Sequence, residues 1–399
     1  MGVLIGIVGK PSSGKTTFLN ALCKTSAKTA DYPFTTIKPN QGVGYVTSPC
    51  ICKEFNVTCN PRNSECINQV RKIPIKIIDV AGLVPGAHEG KGMGNQFLSD
   101  LTQADILIHV LDISGSLNEE GEQVKAGSHD PEKDIAFLEN EIAQWINGIL
   151  KKDWLKAIRK VKTEKKNILD FISEKLTGLK IKRSTIHKAI SVQKLITSKV
   201  AEWTETEILS LCHEIQRLGK PIIIAANKID RPTSLGNFNL LKEKYGDLIL
   251  PTSALTDIVL SRFEENDKIQ YIAETGTLSI IGDVSEKEKT ILNKIETEIL
   301  SKFGTTGIFE TLNHAVFNIL GLFPVYPVAD PSKLSDQDGK VLPDVYLVSE
   351  GTTVKDFAGM IHQDLYNNFI HGFAVRTNRK LSDKHELKSN DVIKIYAAV

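Results

Sequence analysis

The chain has 399 residues, enough for two or three domains with a sizeable core. Hydrophobic residues make up 41% and charged residues 24%, the composition of an ordinary soluble globular protein rather than a disordered or fibrous one. No stretch reaches eighteen apolar residues, and no basic segment precedes a long apolar one at the N-terminus. A membrane span and a signal peptide are therefore not expected, and the cytoplasm is the expected location.

The apolar run Val3–Val8 reads as a buried strand. Directly after it, Gly9-Lys10-Pro11-Ser12-Ser13-Gly14-Lys15-Thr16 reads G-x-x-x-x-G-K-T, a phosphate cradle when it lies between a strand and a helix. Its glycines permit a tight turn of inward-pointing N–H groups. A helix through Thr17-Phe18-Leu19-Asn20-Ala21-Leu22 adds the positive end of its dipole. Candidate phosphate contacts are Gly9, Pro11, Ser12, Ser13, Gly14, Lys15, Thr16 and Thr17. Lys15 is placed to reach the β- and γ-phosphates, and the Thr16 hydroxyl to ligate Mg²⁺. The pattern implies a nucleoside triphosphate ligand.

Asp31–Thr36 is a polar, Pro-containing loop, and Val43–Val46 a short strand. Cys50, Cys52, Cys59 and Cys66 follow within seventeen residues; their C-x-C-x₆-C-x₆-C spacing lacks the paired C-x-x-C knuckles of a zinc ribbon. Reduced cysteines in a hairpin loop are the expected reading, with a metal site and a local disulfide as the alternatives. Ile73–Ile78 is a strand ending at Asp79, and Gly86–Gly94 is expected to be mobile. Ile106–Leu111 is a further buried strand. Asp130-Pro131 then opens a helix through Ile135, Leu138, Ile142 and Trp145, as an N-cap followed by Pro at the first helical position.

From Ile146 to Trp203 the pattern is helical and without strand candidates, which predicts a separate helical hairpin inserted into the sheet domain. Leu155, Ile158, Val161, Ile168, Phe171 and Ile172 form its apolar stripe. Residues 151–199 hold fifteen Lys/Arg against four Asp/Glu, a local balance of +11 in a chain of net +1. Such a segment is either a solvated face or a surface for a polyanion such as RNA. Strands resume at Pro221–Ala226 and at Leu248–Leu250, each followed by a polar motif. Beyond Phe323–Pro327, the segments Asp344–Val348, Val354–Leu365, Ala374-Val375 and Val392–Tyr396 predict a small mixed sheet packed on one helix.

Asn227-Lys228-Ile229-Asp230 follows its strand in the register a guanine site requires. A carboxylate at Asp230 can accept from both N1–H and the exocyclic amine of guanine, whereas adenine offers neither donor at that edge. Asn227 is placed to brace the cradle and Lys228 to lay its stem along the base. Ser253-Ala254, with Leu255 after them, would supply a backbone N–H to the guanine carbonyl. Asp79-x-x-Gly82 adds a carboxylate for Mg²⁺ and an N–H for the γ-phosphate. Thr36, with its neighbour Thr35 as alternative, would complete the metal site when that phosphate is present.

With these in place the chain resembles the YchF-type branch of the Obg-related GTPases. The resemblance rests on Tyr32–Thr36, Asp79–Ala87, Gly92–Phe97 and Val325–Val328 and extends over essentially the whole chain. It implies an α/β fold: a P-loop NTPase domain with a doubly wound, mostly parallel sheet, an inserted α-helical domain, and a C-terminal α+β ubiquitin-like (β-grasp) TGS domain. The divisions expected are 1–145 and 205–322 for the GTPase domain, 146–204 for the insert and 323–399 for TGS. It further implies a cytosolic, monomeric, Mg²⁺-dependent switch that binds GTP and engages the ribosome or rRNA through the insert and the TGS domain. Many YchF members have lost the guanine motif and accept ATP, whereas Asn227 and Asp230 place this chain with the archaeal, GTP-using side. Leu83 stands where many small GTPases carry a water-orienting Gln, which implies slow intrinsic hydrolysis aided by a partner. In this branch a His corresponding to His109 has been considered for positioning water; read from its neighbours Ile108 and Val110, His109 is instead a core histidine. Ser12 replaces the Asn usual in K⁺-activated relatives, which argues against K⁺ acceleration. Two further readings stay open: a nucleotide-gated RNA-binding module with vestigial hydrolysis, and an NTPase of broader specificity.

Overall fold

Strand β1 (Leu4–Val8) shows the constraint that shapes the molecule: every second side chain faces the opposite side of the sheet, and both sides are apolar. In this computed structural model residues 2–23, 41–80, 94–164, 166–273 and 275–398 are described. The chain continues through α1 (Lys15–Cys23), β2 (Gln41–Pro49), β3 (Glu65–Ile67), β4 (Val70–Asp79), α2 (Gly94–Gln103), β5 (Ile106–Asp112) and α3 (Pro131–Lys151). Next come α4 (Trp154–Glu164), α5 (Ile168–Leu176), α6 (Arg183–Val192), α7 (Glu205–Gly219), β6 (Ile222–Asn227), α8 (Ser234–Tyr245), β7 (Ile249–Pro251) and α9 (Ala254–Glu265).

These strands form one sheet in the order β2-β4-β1-β5-β6-β7, with β3 also paired to β4. The pairs from β4 through β7 are parallel, while β2 and β3 run antiparallel to β4. The order reverses at β1, because the chain leaves it towards β4 on one side and later returns to β5 on the other. Ligands of open α/β sheets bind at such a switch point, beyond the carboxyl ends of the strands. Ile5, Ile7, Ile77, Ile106 and Ile108 face a core closed by α1 and α9, whereas Val8, Ile78 and Leu107 face one closed by α2, α3 and α7. Asp130 caps α3 as predicted, its carboxylate accepting from the Glu132 amide at 3.0 Å with Pro131 at the first helical position.

The inserted segment differs from the predicted separate hairpin on two points. Among the described residues it contains three α-helices, α4 to α6, besides short 3-10 turns, and its core is continuous with that of the sheet: Ile172, Leu176 and Ile186 belong to the same apolar cluster as Ile142 and Leu107. Trp154 organises the junction, with ring centroids 6.0 Å from both Phe171 and Trp203. Leu155, expected in the apolar stripe, is 73% exposed, because α4 turns Trp154 and Ala157 inward instead.

After α9 come a hairpin, β8 (Ile269–Ile272) and β9 (Thr277–Ile280), and helices α10 (Glu286–Ile295), α11 (Ser301–Phe303) and α12 (Ile308–Asn313). The C-terminal sheet is built from β10 (Leu322–Pro327), β11 (Tyr346–Ser349), β12 (Phe369–Ala374), β13 (Arg379–Leu381) and β14 (Val392–Ala397), in the order β11-β10-β14-β12-β13. Helix α13 (Val354–Ile361) packs Val354 and Phe357 on it. The single helix predicted over Val354–Leu365 breaks at His362, whose extended backbone separates α13 from α14 (Gln363–Asn367). Tyr326 and Leu342 sit in the same core as Ile5 and Phe18, so this small sheet is fused to the larger domain rather than tethered to it.

The shared core gives a direct contrast. Ile172→Ala should destabilise the chain by about 2–4 kcal/mol, and Leu155→Ala by less than about 0.5 kcal/mol. Urea unfolding of the two variants measures both.

Candidate nucleotide-binding site

Three strand ends meet at the candidate site. The loop after β1 carries the cradle, the loop after β6 carries Asn227–Asp230, and the loop after β7 carries Ser253-Ala254. One buried side chain ties them: Asn227 Nδ2 donates to the Ser13 carbonyl at 2.9 Å, while its Oδ1 accepts from the Ala254 amide at 3.1 Å. Gly14 is required here. Its φ is +100°, and a Cβ would come within 2.3 Å of Asn227 Nδ2.

Within the cradle, Pro11 and Ser12 form the exposed crest and Ser13 is buried with its hydroxyl unpartnered among the described residues. The Phe18 amide bonds back to the Gly14 carbonyl at 2.8 Å, which starts α1 and places Thr16 and Thr17 in its first turn. Lys15 Nζ donates to the Gly9 and Lys10 carbonyls at 2.7 and 3.0 Å. Burial lowers the Lys15 pKa from its usual value, opposed by the charge of Asp79. Asp79, at the end of β4, is raised above the usual carboxylate range by burial, against the pull of Lys15 and with a push from Asp100. Its Oδ1 is buried without a hydrogen-bond partner among the described residues. An orphaned carboxylate oxygen, beside a lysine and the hydroxyl-bearing first turn of α1, is a donor set that suits a hard divalent cation. Thr16 and Asp79 therefore fit Mg²⁺. Thr35, Thr36, Gly82 and Leu83 lie outside the described residues, as do residues 86–93.

The residues expected on the base side lie along the ends of β6 and β7. Asp230 is exposed, and its Oδ1 accepts from Ser253 Oγ at 2.7 Å. Lys228 stands at φ +62° and its Nζ reaches Asp112 Oδ2 at 3.1 Å, which fixes the direction of its stem. The two amides expected to meet the base carbonyl are engaged within the protein. The Ser253 N–H donates to the Thr306 carbonyl at 2.9 Å and the Ala254 N–H to Asn227, so neither is left for a base carbonyl. The Leu255 amide, in the first turn of α9, is the next in line, since such amides have no intrahelical acceptor.

Two residues escaped the sequence reading. Lys10 is buried and ties the cradle to the Leu117 and Asn118 carbonyls at 3.0 and 2.9 Å, and to Asp134 at 2.7 Å. Asp112 accepts from Ser114, Ser116 and Lys228; burial acts to raise its pKa, but these bonds together hold it below the usual range. An acidic residue closing the apolar run Ile106–Leu111 was the available signal for Asp112. Lys10 fills an unconstrained position of the motif, so the pattern gave none. His109 is 2% exposed in mid-strand, with Nδ1 unpartnered among the described residues. Burial, with Lys15 and Lys10 nearby, pushes its pKa down to about 3. It is uncharged at neutral pH.

An uncharacterized GTP-binding protein of Methanocaldococcus jannaschii is 43% identical over 396 residues, covering 99% of each chain. The chain belongs to the YchF/Obg-like GTPase family. Residues 4–160 of this YchF/Obg-like chain match the 50S ribosome-binding GTPase family, residues 225–330 the G4 motif-containing domain of YGR210-like Obg-like GTPases, and residues 335–397 the TGS domain. An uncharacterized GTP-binding protein of Schizosaccharomyces pombe is 36% identical, over 90% of both chains. A crystal structure of a GTP-binding protein from Pyrococcus horikoshii covers 100% of both chains with a TM-score of 0.78 and 33% identity. Among the described residues no helix is long and apolar enough to cross a membrane.

Two outcomes follow for this YchF/Obg-like site. Asn227→Ala leaves the Ser13 carbonyl and the Ala254 amide unpaired, and should cost about 1–3 kcal/mol in urea unfolding. His109 has a folded-state pKa of about 3, below its ordinary 6.5, so unfolding takes up a proton between those values. Its contribution to stability is fully present above about pH 6.5 and is lost as pH falls towards 3. His109→Phe should flatten that part of the stability–pH curve, measured by denaturation at a series of pH values.

Proposed function

We propose that this chain is a GTP-specific molecular switch that hydrolyses GTP slowly to GDP and phosphate and couples its two states to the ribosome or rRNA. The observation that supports it most is the Asn227 side chain, which holds the phosphate cradle and the Ser253-Ala254 loop together and so sets Asp230 on the same rim as Lys15. In this reading the cradle amides and Lys15 hold the phosphates. Asp230 accepts from the guanine edge, Lys228 lies along the base, and the Leu255 amide meets the base carbonyl. Thr16 and Asp79 hold Mg²⁺, with Thr36 joining them, and Gly82 meets the γ-phosphate. When bound, Mg²⁺ neutralises charge on the transferring phosphoryl oxygens. His109, neutral and buried, acts as a core residue under the cradle; water positioning then falls to groups on a partner, consistent with Leu83. Several family relatives are named ATPases, among them the ribosome-binding ATPase YchF of Haemophilus ducreyi, so base choice is the point to measure.

The switch resides in residues 1–145 and 205–322, and contact surfaces in the insert, 146–204, and the TGS region, 323–399. Arg159, Lys160, Lys162, Lys182 and Lys188 support an RNA-facing insert, since they are exposed and form no ion pair among the described residues. We expect it to act in the cytosol as a monomer.

Titration with labelled GTP and ATP should show a GTP preference that Asp230→Ala reduces on the order of 10²-fold or more; equal affinity in the native chain would sink guanine specificity. Lys15→Ala should abolish turnover in a phosphate-release assay. Ribosome association should depend on whether GDP or a non-hydrolysable GTP analogue is bound, and should weaken with salt. If ribosomes leave the single-turnover rate unchanged, the RNA-binding module with vestigial hydrolysis is the better description.

A further inference from the structure

The four cysteines between β2 and β4 take no part in the nucleotide site, yet the fold brings them to one point. Cys50 and Cys52 lie just past β2, Cys59 in the following loop and Cys66 in β3. Their four sulfurs all lie within 4.8 Å of one another, with Cys50 and Cys52 buried and Cys59 and Cys66 partly so. Cys52 and Cys66 sulfurs are 3.9 Å apart, far beyond the about 2.05 Å of a disulfide. A tetrahedral zinc tetrathiolate, with Zn–S of about 2.3 Å, has sulfur–sulfur edges of about 3.8 Å.

The surroundings suit a cation-bridged thiolate cluster. Arg71, fully buried on β4, lies against Cys50, with its guanidinium fixed by Ser64 Oγ at 2.9 Å and by the Leu342 carbonyl at 3.0 Å. The Cys52 backbone amide lies close to the Cys50 sulfur, the short-loop arrangement that orients a thiolate ligand. Four thiolates this close repel one another unless a cation lies between them. A divalent ion and Arg71 supply the positive charge such a set needs.

We propose that Cys50, Cys52, Cys59 and Cys66 form a tetrahedral tetrathiolate site for a thiophilic divalent ion, zinc by its ligand set, which locks the C-terminal domain to the β2–β4 ribbon. The loop the ion would close carries that contact. The Asn60 and Arg62 amides donate to the Val341 and Pro343 carbonyls at 2.8 and 2.7 Å. Asn63 exchanges two hydrogen bonds with the Val345 backbone at 2.9 and 3.0 Å, and Arg62 pairs with Asp344 at 2.7 Å. The C-x-C spacing differs from paired knuckles because two of the four ligands come from one turn and the others from a loop and a strand. Binding releases the thiol protons, so affinity falls as pH falls.

The full chain, purified without chelator, is analysed by inductively coupled plasma mass spectrometry. About one zinc per chain is expected, falling to near zero in a Cys59→Ser/Cys66→Ser variant. Chain stripped of metal and titrated with Co²⁺ should develop tetrahedral cobalt–thiolate absorption saturating at about one equivalent. Loss of the metal should raise the rate of protease cleavage between residues 323 and 345. Native chain that carries no metal and takes up no cobalt overturns the proposal. So does a Cys52–Cys66 disulfide in its peptide map, or a double variant with undiminished metal content. These readings on the native chain decide the matter even where the variant folds poorly.

Discussion

A parallel sheet with apolar residues on both faces leaves polar chemistry only one place to gather. Strands β1, β5 and β6 are buried almost end to end, so a charged side chain within them lacks solvent and partners. The polar residues accumulate instead where the strands stop: Asp79 at the end of β4, Asp112 at the end of β5, Asn227 at the end of β6. The site is the rim that the hydrophobic core leaves over. His109 is the exception that fits the rule, since it tolerates mid-strand burial only by giving up its charge.

Part of that rim is bonded within the protein before any ligand arrives, while Asp79 Oδ1 and the Ser13 hydroxyl stay unpartnered among the described residues. Asn227 spans two loops, Lys10 stitches a third, and Asp112 gathers two hydroxyls and the Lys228 ammonium. Pre-formed bonds of this kind reduce the ordering a ligand must bring about on binding. The Ser253 and Ala254 amides are likewise engaged within the protein, by the Thr306 carbonyl and the Asn227 side chain.

Much of this was legible in the sequence, and the reason is local. The cradle glycines, the Asp130-Pro131 cap and the apolar strands are short-range signals whose physics is complete within a few residues. What stayed hidden depends on partners distant in the chain. Leu155 and Trp154 are equally apolar neighbours, and only the position of Phe171 and Trp203 decides which turns inward. The break at His362, the antiparallel β2 edge and the engagement of Ser253 with Thr306 likewise depend on tertiary contacts. The cysteines show the limit most plainly: their spacing matches no familiar ribbon, but the β2–β4 ribbon brings them together.

Strand β10 follows the nucleotide-binding domain without a linker and runs in the interior of the C-terminal sheet, and its Tyr326 ring is stacked beneath the Arg71 guanidinium at 5.4 Å. Module boundaries drawn on sequence therefore do not mark where the molecule can be cut. A transplanted C-terminal module would arrive with Tyr326 and the 341–345 segment stripped of their partners, and the remaining domain would expose the cavity they had filled. To keep Tyr326 and the 341–345 segment covered, the cysteine loop and Arg71 would have to travel with this module.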